Sequence, residues 1–379
     1  MAHSQQSTLK SVSSRVAALD WMRGLVMVLM TLDHASEMFN AGRLVSDAAW
    51  LYKPGAPLPA VQFLVRWITH LCAPTFVFLA GTSLALSVER RSKAGESAAA
   101  IDRGIITRGL FIAAMDPLWM SVVFTPGLVL LQVLFAIGMS FVCMVPLRRL
   151  SSKALISIAL GLMLFGEALI GLVAGNRPSL AVGLLLSGGE FGKLLAGYPL
   201  LPWLAIMLLG WVFGRQFLVV GPGSAAARRL LWTGALVAFV VFAMIRGLNG
   251  YGNMQLLRKG PSFVQWLHVS KYPPSLSFYT LELGLMGLCL ALLFRWNVGT
   301  ETRAGISRLL VTFGQTAFFF YLLHAHLLWL AAWSLGIRHQ RGLAETLLAT
   351  AMVSAVLYPC CRWYRGYKGA NPSGWARYV

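Results

Sequence analysis

Four side chains in this sequence combine acid–base chemistry with a greasy setting. Asp33 and His34 close the run LVMVLMTLDH, His70 lies in FLVRWITHLCAPTFVFLAG, and His324 lies in FGQTAFFFYLLHAHLLWL. An ionisable group inside an apolar segment costs several kcal/mol unless paired or hydrated, so each is a functional candidate. Imidazole changes charge near neutral pH, and general acid–base work is the chemistry it suits best. Asp33 and His34 sit about 100° apart around one helix and meet different neighbours. His326, two residues past His324, faces nearly the opposite way. Metal ligation and unrelated interfacial placement are the rival uses of such a set. The sequence has no pair of histidines four apart and no HExxH run, so no metal is expected.

These residues need an apolar scaffold, and the composition supplies one. Of 379 residues, 57% are hydrophobic and 12% charged, against roughly 25% charged in ordinary soluble domains. A bilayer core about 30 Å thick takes about 20 apolar residues per helix. Ten segments qualify: 17–37, 64–88, 104–122, 127–146, 154–174, 197–214, 230–246, 274–294, 309–333 and 343–361. The expected fold is an all-α polytopic bundle of about ten spans with both termini cytosolic. It forms one domain over 15–361, between a polar, Ser- and Gln-rich tail at 1–14 and a basic tail at 362–379. Alternating ten-residue strands are absent from the sequence, which excludes a membrane β-barrel. Pro74 and Pro117 mark expected kinks. Rising 1.5 Å per residue from Arg308, His324 reaches about 24 Å up the ninth span. His34, His70 and His324 then share a depth in the outer half of the membrane. Asp116, near the outer end of the third span, is a candidate to line the same cavity, whereas Glu167 and Glu282 read equally well as structural partners.

Lys and Arg number 32 against 13 Asp and Glu, a formal charge of +19. On a greasy chain this excess sets topology and is no nucleic-acid footprint. Most of the basic residues fall on the side that holds the N-terminus, while Arg23, Arg66 and Arg108 lie within spans. Arg90, Arg91, Arg148 and Arg149, with Arg23, are candidates to hold phosphates; topology determinants is the plainer reading of the loop arginines. Asp20 and Arg23, three apart, share a face and can pair. The five cysteines show no metal or disulfide spacing. No internal repeat is evident, which lowers the case for a transporter built from matched halves.

Five runs carry a resemblance. RVAALDWMRGLVMVLMTLDH (15–34) resembles the first span of transmembrane acyltransferases, with their LDxxRG pattern. RWITHLCAPTFVFLAGTSLAL (66–86), YPLLPWLAIMLLGWVFG (198–214), KYPPSLSFYTLELG (271–284) and FGQTAFFFYLLHAHL (313–327) resemble the heparan-α-glucosaminide N-acetyltransferase family, particularly its bacterial branch. The resemblance implies an integral protein of the bacterial inner membrane that takes acetyl-CoA, or another acyl-CoA, from the cytosol. The acyl group passes to a glycan or amino-sugar acceptor on the far side. Eukaryotic members are expected to carry their catalytic histidine between the first two spans, where this chain has none from 35 to 69. By spacing, His34 falls where they place an Asn and His70 where they place an Asp; His34, His70 and His324 fit the bacterial branch.

The expected function is therefore acyl-CoA-dependent acyl transfer. One of His34 and His70 takes the acceptor's proton, and Asp33 and His324 orient it or stabilise charge. An acyl-histidine intermediate is the mechanistic variant. A proton-coupled transporter and a non-catalytic scaffold of the same fold are the alternatives.

Overall fold

The computed structural model describes residues 16–175, 178–221, 223–296, 305–371 and 374. The tail expected at 1–14 lies outside them. The helices are α1 (Ala17–Phe39), α2 (Ala60–Ile68), α3 (Cys72–Lys93), α4 (Ala98–Met115), α5 (Ser121–Phe124), α6 (Val133–Leu147), α7 (Ser152–Val173), α8 (Leu180–Val182), α9 (Leu200–Val220), α10 (Ala225–Leu248), α11 (Phe263–Leu267), α12 (Leu276–Arg295), α13 (Ile306–Gln315), α14 (Ala317–Ser334) and α15 (Leu343–Ala370). Three short strands, β1 (Val129–Leu131), β2 (Gly189–Phe191) and β3 (Leu194–Ala196), complete the fold.

Among the described residues, eight helices are long and apolar enough to cross a membrane. Two of the ten expected segments fall outside that group. Helix α1 has the length, but Asp20, Arg23, Asp33 and Glu37 interrupt it, and α6 is a 15-residue apolar helix. The long second segment is α2 and α3 joined by a 3-10 turn at Thr69–Leu71. Pro74 sits in the first turn of α3; its ring excludes a hydrogen bond to the carbonyl of His70 and breaks the helix there. The ninth segment is likewise two helices, α13 and α14, hinged at Thr316. At Pro117 the third segment passes through a π turn, Asp116–Met120.

Helix α1 lies at the centre and packs on α3, α12, α13, α14 and α15. Its approach to α13 is close enough to require glycine. A Cβ on Gly24 would lie 1.9 Å from the Leu310 carbonyl oxygen, and one on Gly314 would lie 1.7 Å from that of Asp20. This contact explains the glycine of the LDxxRG run. We expect Gly314→Ala to lower unfolding stability by about 1–3 kcal/mol through overpacking. Gly161→Ala, inside α7 and with nothing within 4 Å of the added carbon, should not lower the thermal transition in detergent and should raise it slightly.

Helices α7, α10 and α15 form the periphery. They expose Phe165, Leu172, Leu236, Val237, Leu348 and Met352, an apolar exterior suited to lipid. At the end of the bundle away from the basic loops, β3 pairs parallel to β1 and antiparallel to β2. Three-residue strands carry too little pattern to be read from sequence. Their role is positional: with Leu131 opposite Ala196, Gln132 and Tyr198 emerge side by side.

Candidate active site

Helix α1 presents Asp33 and His34 near its last turns, and α14 brings His324 against His34. His34 Nδ1 and His324 Nε2 are 2.7 Å apart, with the ring planes 17° apart and the centroids separated by 4.9 Å. His324 Nδ1 is 2.7 Å from the Tyr321 carbonyl oxygen and 3.2 Å from that of Phe320. A carbonyl only accepts, so Nδ1 of His324 carries the proton and its Nε2 is the acceptor in the neutral ring. His34 must then donate from Nδ1. Its Nε2 keeps the lone pair, which makes His34 the basic member of the dyad and His324 the group that fixes its tautomer.

Asp33 is held from two sides. Arg43 donates to its carboxylate at 2.9 Å and to its backbone carbonyl at 2.7 Å, and Arg66 donates at 2.5 Å. Arg66 also binds Asp47, with its Nε 2.7 Å from Oδ2 and its Nη2 on the same oxygen. His70 Nε2 lies 3.2 Å from the other Asp47 oxygen. Asp47 sits in the loop after α1. Burial alone would raise its pKa, but Arg66 and His70 beside it hold the carboxyl well below the ordinary range. A second loop contact, His268 Nε2 to the Ser46 carbonyl at 2.7 Å, fixes that segment. Burial pushes the His268 imidazole down, partly offset by the Ser46 carbonyl.

The four sequence candidates thus divide. Asp33 and His34 line a small chamber of about 40 Å³ together with Gln132, Tyr198, Lys271 and Tyr321. His324 reaches it through His34. His70 is buried but is not among the lining residues; it joins the site through Asp47, Arg66 and Asp33. Asp116 is not among them either. Its Oδ2 accepts the backbone N–H groups of Gln132 and Phe135, both at 2.7 Å, and so caps α6 and sets the position of Gln132.

The chamber has a neighbouring cavity toward each end of the bundle. On the basic side it shares Phe76, Val133 and Tyr321 with a cavity of about 320 Å³. That cavity is lined by Arg23, Arg91, Arg108 and Lys368. Arg23 binds Asp20 at 2.6 Å and Ser83, and Arg91 binds Glu96 at 2.7 Å. Arg90, Arg148 and Arg149 are not among the lining residues; the last two hold Asp102 at 2.6 and 2.7 Å. On the other side the chamber shares Gln132 and Tyr198 with a cavity of about 160 Å³. That one shares Trp50 and Tyr272 with an open cleft of about 830 Å³ that Glu167 and Glu190 also line. Among the described residues no cluster of His, Cys, Asp and Glu could hold a metal ion.

Several lining residues escaped the sequence reading, although four lay inside runs it had marked. Cys72, Tyr198, Lys271 and Tyr321 belong to the second, third, fourth and fifth of them. With Asp33 and His34 from the first, all five runs meet at one chamber. Arg108 gave a signal as an arginine within a span; Gln132 gave none.

The family described as heparan-alpha-glucosaminide N-acetyltransferase, catalytic, matches residues 15–234, more than half of the 379. The chain belongs to this family. It is accordingly an integral membrane protein of a membrane acetyltransferase family, with an all-α polytopic fold. The match spans Asp33, His34, His70 and three cavity arginines, while Lys271 and His324 lie beyond it. No curated protein matches the chain.

Proposed function

We propose that the protein transfers an acetyl or related acyl group from acyl-CoA on the cytosolic, basic side to a glycan-type acceptor on the other, with His34 as the base. One observation carries this reading: a chamber holding a basic imidazole shares walls with a cation-lined cavity on one side and, on the other, with a smaller cavity that leads to the open cleft. The donor phosphates belong with Arg23, Arg91, Arg108 and Lys368, and the pantetheine arm follows α1 inward. From Arg23 to His34 the helix rises about 16 Å at 1.5 Å per residue, a reach suited to an extended pantetheine. The acceptor belongs in the outer cleft. There Trp50 offers an exposed aromatic face, and Glu167 and Glu190 offer acceptors for sugar hydroxyl or ammonium groups.

The acceptor's O–H or N–H attacks the thioester carbonyl while His34 Nε2 takes the proton. The same nitrogen then returns it to the departing CoA sulfur. His324 holds the ring in the required tautomer. Asp33 and Asp47, locked by Arg43 and Arg66, fix the helix end from which His34 projects.

The reading is tested by measuring free CoA thiol released by purified protein from acetyl-CoA, with and without glucosamine. Glucosamine-dependent thiol release with N-acetylglucosamine as product supports it. Absence of both thiol release and acetylated product across amine and hydroxyl acceptors contradicts it. Within this reading, Arg108→Ala should raise KM for acetyl-CoA by about tenfold, the effect of losing one hydrogen bond to a charged group, with little change in kcat. Arg148→Ala should leave KM unchanged.

A further inference from the structure

We propose that Lys271 holds the thioester carbonyl oxygen as negative charge develops on it, a role that rests on the acyl-transfer reading above. Among the described residues lining the chamber, Lys271 is the one cation. Its residue is 97% removed from solvent, with 3% relative exposure. The acids nearby are otherwise engaged: Asp33 by Arg43 and Arg66, and Asp47 by Arg66 and His70. No carboxylate among the described residues lies within ion-pair distance of the Lys271 ammonium. Its charge still acts on both Asp33 and His34. Among the described residues its ring contact is Tyr272, 5.2 Å to the centroid.

The backbone around Lys271 is fixed without using the side chain. Its N–H donates to the Asp47 carbonyl at 2.7 Å. It forms an isolated bridge with Pro274, and the Ser275 N–H donates to the Ser270 carbonyl at 2.9 Å. A buried cation with no carboxylate beside it is costly at rest, and it attracts the anion that develops on the carbonyl oxygen more strongly than the neutral ground state, which lowers the barrier. An ammonium has three donors that turn with the carbonyl as it goes from planar to tetrahedral. In a buried chamber of about 40 Å³ its field is stronger than in bulk water.

The electron balance is complete with the groups at hand. The acceptor lone pair forms the new bond to the carbonyl carbon, and the C=O π pair moves to oxygen beside Lys271. His34 Nε2 takes the acceptor proton. The oxygen pair then re-forms C=O, the C–S bond breaks toward sulfur, and His34 protonates the CoA thiolate. Lys271 keeps its protons throughout.

The test uses full-length protein in detergent with acetyl-CoA and glucosamine. Lys271→Met keeps most of the apolar stem. It should lower kcat by about 10²–10³-fold, the usual loss of an oxyanion donor, with KM for acetyl-CoA within about threefold of wild type. Lys271→Arg, which keeps a cation, should recover at least tenfold over Lys271→Met. A second readout separates this role from a structural one. Replacing the carbonyl oxygen of the donor by sulfur, as dithioacetyl-CoA, should slow the wild type strongly and Lys271→Met far less, because sulfur is a poor hydrogen-bond acceptor. Wild-type kcat in Lys271→Met, or an equal sulfur effect in both proteins, overturns the role of Lys271 and leaves acyl transfer standing. If Lys271→Met does not fold, the sulfur effect is compared between wild type and the uncharged Lys271→Gln, and an equal effect in the two overturns the proposal. A wild-type protein that never transfers acetyl overturns both.

Discussion

His34→Ala is expected to lower acetyl transfer by about 10²–10⁴-fold, the range that general-base catalysis supplies. CoA binding should persist: of the arginines proposed to hold the phosphates, Arg23 lies eleven residues from His34 along α1, and Arg91 and Arg108 lie on other helices. Their cavity touches the His34 chamber only through Phe76, Val133 and Tyr321. The fall should therefore sit in kcat, the signature of an interaction made in the transition state. His324→Phe should fall between wild type and His34→Ala. It removes the acceptor 2.7 Å from His34 Nδ1 and frees the ring to adopt the unproductive tautomer, while leaving the base in place. His70→Ala should act more weakly still, through Asp47. Steady-state kinetics with acetyl-CoA on the three purified variants, beside isothermal titration with CoA, gives the order. An equal loss in all three would place the base elsewhere.

Arg66→Ala is expected to have the largest effect on stability. This guanidinium serves two carboxylates, Asp33 at 2.5 Å and Asp47, and the residue is 9% exposed. Breaking a buried pair by removing one partner costs about 3–5 kcal/mol, because the other charge is left uncompensated. Here one substitution leaves Asp33 with Arg43 alone and Asp47 with the His70 imidazole alone. Arg66→Ala should lower the thermal transition sharply or prevent recovery of folded protein. Arg66→Ala combined with Asp47→Asn should regain part of the loss. Full recovery of stability in Arg66→Ala alone would show that Asp33 and Asp47 are solvated. The pH dependence has a definite sign. Asp47 has a depressed pKa in the folded protein, so its contribution is complete above the unfolded value, near pH 4. It is lost as pH falls toward the native one.

The bundle was legible because apolar runs of about 20 residues announce helices whatever their neighbours do. Its interruptions were legible only in part. Pro74 and Pro117 flagged breaks, but the hinge at Thr316 carries no proline and follows from the packing of α13 and α14 against α1. The strands at Val129–Leu131 and Leu194–Ala196 were invisible, since a three-residue strand has no period to detect. In the site, Asp33, His34 and His324 stood out as expensive residues in greasy surroundings; Asp33 and His34 line the chamber, and His324 packs against His34 behind it. Asp47 and Lys271 did not stand out, because each sits in a polar loop where a charge is unremarkable until the fold buries it. Among the loop arginines, Arg91 lines the basic cavity. Arg148 and Arg149 look available in sequence, yet Asp102, 46 and 47 residues away, engages both.

The central claim is transfer across the membrane with chemistry at His34. Its most direct test places labelled acetyl-CoA on the basic face of proteoliposomes and glucosamine only on the opposite face. Labelled N-acetylglucosamine formed in the glucosamine compartment, with CoA left on the donor side and no product from His34→Ala, is the predicted result. Intact labelled donor crossing without acetylation, or equal product from His34→Ala, would contradict the account.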